Sequence, residues 1–376
     1  MRIAYLSTFY PFRGGIAQYN ASLYHQLARN AEINAYTFTR QYPSFLFPGQ
    51  SQFVSSSDPV DTIRSKRILD SINPLNRHLA AKEIQSWEPD LLLSKFWMPF
   101  FAPSLGKVSK ILHKKNTKSI GILDNVIPHE KRLFDISLIK YYLRWQDGFI
   151  VMSEQVLDDL HQFVPNAKYE FFPHPIYSHF QPNIPLQEAR EKLNIPPNKK
   201  VLLFFGFIRD YKGLDILLNA LKLLPQDYHL IIAGEVYGNF NKYQEIIDRL
   251  QLQSSITLLN HYITDDEVPG IFSASDVCVL PYRSATQSGI IGVAYQYNLP
   301  VIATNVGGLQ EMITPYNTGL MVEKIDPTEL AKTIEQYFNK NLKEKFSANI
   351  NLFKSKYNWE NLAQAILDLY KRILSQ

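Results

Sequence analysis

The chain has 376 residues, long for one hydrophobic core and comfortable for two of about 150–200 residues each. Apolar residues make up 45% and charged residues 20%, which excludes a disordered or low-complexity chain. The formal net charge of +4 is uneven: residues 1–180 carry 20 Lys and Arg against 15 Asp and Glu, the rest 19 against 20. Without a recognised binding motif beside it, so small an excess gives no reason to expect nucleic-acid binding.

Strand-like and helix-like patterns alternate along the whole chain, the signature of an α/β fold with parallel sheets. Ile3-Ala4-Tyr5-Leu6-Ser7 reads as the first strand, too short and too strand-like for a signal peptide. No stretch reaches the ~18–20 apolar residues needed to cross a bilayer, so a cytoplasmic protein is expected. After the loop Phe9 to Gly15 comes a helix pattern from Ile16 to Ala28. The paired Gly14 and Gly15 let the backbone approach a ligand closely, and the helix start favours negative charge there. Arg13 beside them is either a phosphate contact or a surface residue. Further strands are expected at Ile33–Phe38, Leu91–Leu93, Lys118–Leu123 and Gly148–Met152, and helices at Pro74–Gln85, Pro103–His113, Leu138–Arg144 and Glu154–Phe163.

Phe96-Trp97-Met98-Pro99-Phe100-Phe101 reads as core packing or as a groove for an apolar acceptor. Lys107, Lys110, Lys114, Lys115 and Lys118 are either a solvated helix face or an attraction to an anionic membrane surface. Asp124 ends a strand, and His129 follows five residues on. Either could act as a general base near neutral pH.

The proline-rich stretch from Phe172 to Pro197 looks like an interdomain linker with one short helix inside it. The α/β rhythm then resumes, with strands near 201–207, 229–233, 256–259, 276–280, 300–303 and 320–322. The first of these ends in Arg209-Asp210-Tyr211-Lys212-Gly213 and runs into a helix from Leu214 to Leu224. Two fixed cations and a glycine delivered to a helix start suit a diphosphate. The single cysteine, Cys278, lies in a buried-strand pattern, which excludes an intrachain disulfide and fits a reducing compartment. Leu280-Pro281-Tyr282-Arg283-Ser284-Ala285-Thr286-Gln287-Ser288-Gly289 leads into another helix. Pro300-Val301-Ile302-Ala303-Thr304 and Gly307-Gly308-Leu309-Gln310-Glu311 follow, and Trp359 to Leu374 closes the chain as an amphipathic helix.

From Gly206 to Glu311 these segments resemble the donor half of the family 4, retaining, GT-B-fold glycosyltransferases, the "group 1" glycosyltransferases. The resemblance implies two Rossmann-like domains facing a central cleft. Residues 1–174 would be an acceptor domain, 175–357 a nucleotide-sugar donor domain, and 358–376 a helix returning to the first domain. It assigns Arg209 and Lys212 to the donor diphosphate, places Gly14 and Gly15 against donor and acceptor, and brings Gly308 and Glu311 to the donor. Most of the family has two glutamates, seven residues apart, that bind the transferred sugar and the ribose. Ala285 and Val293 stand at those positions here. Thr286, Gln287, Ser288 and Gly289 are the donor contacts left at that helix start, with N-capping by one of the polar three as the competing reading.

The activity implied is transfer of a hexose from a nucleotide-diphosphate sugar to a hydroxyl acceptor, a glycan or lipid-linked saccharide, in bacterial-type polysaccharide or glycoconjugate synthesis. No cofactor is expected. Asp-x-Asp, the usual metal motif of the other glycosyltransferase fold, is absent from the chain. The basic first half adds peripheral contact with the inner face of the membrane. The missing glutamates leave open a catalytically inactive scaffold of a glycan assembly complex. A nucleotide-sugar epimerase is the third reading, and it would need acid/base carboxylates that do not stand out.

Overall fold

The computed structural model describes residues 1–12, 14–43, 52–54, 61–128, 133–176, 181–236, 239–285 and 288–375. The chain forms two compact units, one built from residues up to Pro173 together with those from Asn358 onward, the other from His174–Tyr357.

The first unit runs β1 (Arg2–Leu6), α1 (Gly15–Leu27), β2 (Glu32–Arg40), β3 (Ser65–Asp70), α2 (Pro74–Gln85), β4 (Leu91–Phe96), α3 (Ala102–His113), β5 (Lys118–Leu123), α4 (Asp135–Leu143), β6 (Gly148–Val151), α5 (Glu154–Phe163) and β7 (Tyr169–Phe171). Its strands pair in parallel in the order β3-β2-β1-β4-β5-β6-β7. Parallel neighbours need long crossovers, and the helices that supply them cover the sheet, so central strands are apolar on both faces. Every residue of β4 is buried accordingly. Local signals fix the helix starts. Asn73 accepts from the amides of Leu75 and Asn76 with Pro74 in the first helical turn, and Ser153 accepts from Val156.

The second unit runs α6 (Leu186–Lys192), β8 (Lys200–Phe205), α7 (Leu214–Leu223), β9 (Tyr228–Ala233), α8 (Asn241–Leu250), β10 (Ile256–Leu259), α9 (Val268–Ala274), β11 (Val277–Leu280), α10 (Gly289–Gln296), β12 (Val301–Thr304), α11 (Leu309–Ile313), β13 (Gly319–Val322), α12 (Pro327–Asn339) and α13 (Lys343–Lys356). Its sheet is also parallel, in the order β10-β9-β8-β11-β12-β13. Arg190 ties the linker helix α6 into this unit. Its buried guanidinium donates to Asp276 at 2.8 Å, to the Ala274 carbonyl at 3.1 Å and to the Pro197 carbonyl at 2.6 Å. The last helix, α14 (Trp359–Leu374), packs in the first unit on α1, β5, β6 and β7. Trp359, Leu362, Ala363, Ile366, Leu369 and Ile373 form its buried stripe at helical spacing.

β5, α2, α5 and α14 have the bounds expected from the sequence. β3 and β7 are additions: one is half polar at a sheet edge and the other only three residues long, so neither shows an apolar run. β4 runs three residues past the expected Leu93, because Ser94 and Lys95 are buried in the strand and each finds a partner. The Ser94 hydroxyl lies 2.8 Å from the Tyr142 hydroxyl, and Lys95 meets Asp124.

Candidate functional site

In each sheet the chain departs to opposite sides of its first strand, between β1 and β4 and again between β8 and β11. Ligands of open α/β sheets bind outside the strands' C-terminal ends at such a switch point. The expected diphosphate turn leaves the end of β8. Gly206, with φ +90°, allows Lys212 to fold back over it: a Cβ there would stand 3.0 Å from Lys212 Nζ and 3.2 Å from Ile290 Cδ1 of α10. Gly213, at φ +68°, precedes α7, and a Cβ would fall 2.0 Å from the Pro281 carbonyl oxygen. The turn after β8 and the loop after β11 are therefore in direct backbone contact.

Lys212 is only 7% exposed, yet among the described residues it has no carboxylate and no hydrogen-bond acceptor. Its ammonium stands 5.6 Å from the Tyr282 ring centroid. Burial pushes its pKa down to about 8, with Cys278 acting in the opposite sense and Arg209 adding repulsion. A buried cation without a counter-ion is costly, and an arriving anion relieves that cost. Arg209 is exposed, with its guanidinium carbon 6.0 Å from the Phe207 ring centroid.

The acids of this turn are engaged elsewhere. Asp210 pairs with Lys242, while Asp215 receives Arg283 in a two-pronged contact of 2.9 and 2.6 Å. Arg283 also donates to the Asp210 carbonyl at 2.8 Å, and its backbone amide to the Tyr211 carbonyl at 2.7 Å. Four hydrogen bonds thus fasten the loop after β11 to the turn after β8.

In the first unit Gly14, with φ +107°, stands at the N-cap of α1, and a Cβ there would meet nothing within 4 Å. Gly14 and Gly15 are exposed. Asn20 holds the strand-to-helix connection: its amide donates to Ser7 Oγ and to the Thr8 carbonyl at 2.8 Å each, and it accepts from the Tyr5 hydroxyl at 2.6 Å. Asp124 follows β5 and accepts from Lys95 at 2.5 Å. Lys95 is 1% exposed and lies 3.5 Å from the Tyr19 ring centroid. Burial lowers its pKa while Asp124 opposes the shift. Lys95 was invisible as a site residue in sequence, although a lone lysine inside an apolar strand was the available signal.

Residues 186–353 match the family described as glycosyl transferases group 1. This stretch, a little under half of the chain, is similar to the group 1 glycosyl transferases. A D-inositol 3-phosphate glycosyltransferase of Xylanimonas cellulosilytica is 25% identical over 218 residues, which cover 57% of this chain and 51% of that protein. The chain spans about half the length of the first curated relatives it matches. An uncharacterized glycosyltransferase of Methanocaldococcus jannaschii is 25% identical over 384 residues, 99% of each chain. Among solved structures, Anabaena HepE superposes with a TM-score of 0.73 over 99% of this chain and all of that one, at 17% identity. The fold is GT-B.

The second unit brings Arg209, Lys212, Ser288 and Gly289 to one edge of its sheet. Ser288 stands at the N-cap of α10 but makes no capping hydrogen bond. Its hydroxyl faces the buried Tyr282 hydroxyl at 3.5 Å instead. Thr304 holds Tyr282 by donating to its carbonyl at 2.5 Å. Gly308 caps the short α11, which carries the half-buried Glu311, one strand further along the same edge. Val293 is buried within α10. Tyr282 and Arg283 are the domain's additions to the expected set. Arg13, His129, Thr286 and Gln287 lie outside the described residues.

Proposed function

We propose that the protein is a retaining, metal-independent glycosyltransferase that moves a hexose from a nucleotide-diphosphate sugar to a hydroxyl acceptor in the cytoplasm, in polysaccharide or glycoconjugate synthesis. The observation that carries this reading is the buried ammonium of Lys212, which has no counter-ion among the described residues, beside Arg209. As the bond from the anomeric carbon to the diphosphate oxygen breaks, negative charge collects on the leaving group, and fixed cations stabilise it without a metal. The acceptor oxygen bonds to the anomeric carbon on the face that the diphosphate leaves. The acceptor's proton passes to the departing phosphate or to a base, for which Asp124 and His129 are the candidates. Gly14, Gly15, Gly289 and Gly308 give backbone access to the donor, and Thr286, Gln287, Ser288 and Glu311 offer it polar contacts. HepE has been solved with UDP and with UDP-glucose, which makes uridine donors the first to try.

Calorimetry with UDP, GDP, ADP and their sugar conjugates, in EDTA and then with added divalent cation, tests the donor site. One nucleotide is expected to bind equally in both. Arg209→Ala and Lys212→Ala are each expected to slow transfer by ~10²–10³-fold. Nuclear magnetic resonance of the product should show the donor's anomeric configuration. Absence of binding by every nucleotide would sink the donor site and favour a non-catalytic subunit, in keeping with Ala285 and Val293 where the family has carboxylates.

A further inference from the structure

β4 reads Leu91-Leu92-Leu93-Ser94-Lys95-Phe96, and all six residues are buried, so a lysine there is out of character. Successive side chains of a strand point to opposite faces. Ser94 accordingly reaches Tyr142 of α4 on one face, while Lys95 lies against Tyr19 of α1 on the other. A buried ion pair does little for stability, since apolar replacements are often neutral or stabilising. What the pair of Lys95 with Asp124 secures is a carboxylate in a fixed place.

The two partners differ in exposure: the Lys95 side chain is 2% exposed and that of Asp124 23%. The cation is sealed behind the carboxylate and cannot itself meet a substrate. Asp124 is the first residue past β5, and its amide donates to the Phe96 carbonyl at 2.9 Å. It therefore stands at the strands' C-terminal edge, on the strand next to the switch between β1 and β4. The polar groups behind it are committed. Lys95 Nζ donates to Oδ1 at 2.5 Å and rests on the Tyr19 ring, which the Trp359 ring meets edge-on. The Tyr5 hydroxyl donates to Asn20 Oδ1, and burial together with the Asp124 charge pushes its pKa well up, so it keeps its proton. Among the described residues Oδ2 of Asp124 receives no donor, although a carboxylate has room for several.

Building on the transferase activity proposed for the chain, we propose that Lys95 is a positioning residue. It holds Asp124 so that Oδ2 accepts the hydrogen bond of the attacking hydroxyl and aims that oxygen at the anomeric carbon. Asp124 is then an orienting group. The bond to the acceptor oxygen forms as the bond from the anomeric carbon to the diphosphate oxygen breaks, and the hydroxyl's proton leaves on the departing phosphate. Such a hydrogen bond acts through geometry, where a displacement of ~1 Å costs ~10²-fold in rate.

Release of glucose from UDP-glucose by the full chain, with water as the acceptor, tests this role. The water oxygen bonds to the anomeric carbon, and one of its protons leaves with UDP. Lys95→Met and Lys95→Gln both remove the buried charge, but only glutamine keeps an N–H for Asp124. Both should fold, because neutral side chains of similar length replace a buried ammonium. Lys95→Met is expected to lower kcat ~100-fold and Lys95→Gln less than ~10-fold, with KM for UDP-glucose and the calorimetric affinity for UDP unchanged. If UDP binds and glucose release in both variants equals that of the wild type, or is slowed equally in both, the positioning role is overturned and the donor site stands. A rise in KM or a loss of UDP affinity along with kcat would mean a general disturbance of the fold and would overturn it too. If no nucleotide binds the wild type, the transferase activity fails, and the role of Lys95 falls with it.

Discussion

Two buried lysines, one in each unit, show opposite solutions to the same cost. Lys95 meets Asp124 and lies on the Tyr19 ring, so its charge is compensated within the protein. Among the described residues Lys212 has no such acid, and burial brings its pKa down to about 8. Two results follow from that difference. In the proposed donor role the ammonium form of Lys212 meets the diphosphate, so nucleotide affinity should weaken as pH rises through about 8, and calorimetry on either side of that value should show it. Lys212→Met should bind nucleotide far more weakly while melting at a higher temperature than the wild type without ligand, because removing an uncompensated buried charge stabilises the fold. A lower melting temperature in that variant would mean that Lys212 has a partner within the protein.

Between elements, the decisive contact is Arg283 with Asp215, 68 residues away in the chain. Arg283→Ala should lower nucleotide affinity roughly tenfold, and Arg283→Lys should restore only part of it, since one ammonium cannot reproduce a two-pronged contact. If Arg283→Ala weakens binding no further in a Lys212→Ala background, the arginine acts by holding the lysine's turn; additive losses would rule that out. This contact also shows where sequence reading stops. The turn Arg209 to Gly213 was legible because strand, cations, glycine and helix start follow one another locally. The burial of Lys212, the clamp by Arg283 and the ring of Tyr282 depend on a loop delivered by a distant strand, which leaves no local pattern. The same holds in the first unit, where Asp124 could be picked out at a strand end but its partner Lys95 could not. The positions of most strands were legible from the alternation of apolar runs, whereas the short edge strand β7 and the half-polar β3 carry too little apolar signal.

At the scale of the whole molecule, the second unit is an insertion within the first. Among the described residues no helix is long and apolar enough to cross a membrane. α14 returns to the first unit, where its Trp359 ring meets Tyr19 edge-on at 5.0 Å. At the other end, Ile373 lies so close to Gly148 that a Cβ there would stand 2.7 Å from its Cδ1. A chain ending at Tyr357 should keep a protease-resistant core near His174–Tyr357 and lose residues 1–173 to digestion, because the stripe that α14 covers stays wet. Survival of both halves would show that the helix is dispensable. This connectivity also sets an order of birth. On the ribosome every residue of the inserted unit emerges before the helix that finishes the first one, so residues 1–173 wait with an open apolar groove throughout that interval. The nascent chain is then most exposed to holdase chaperones in its earliest-made half.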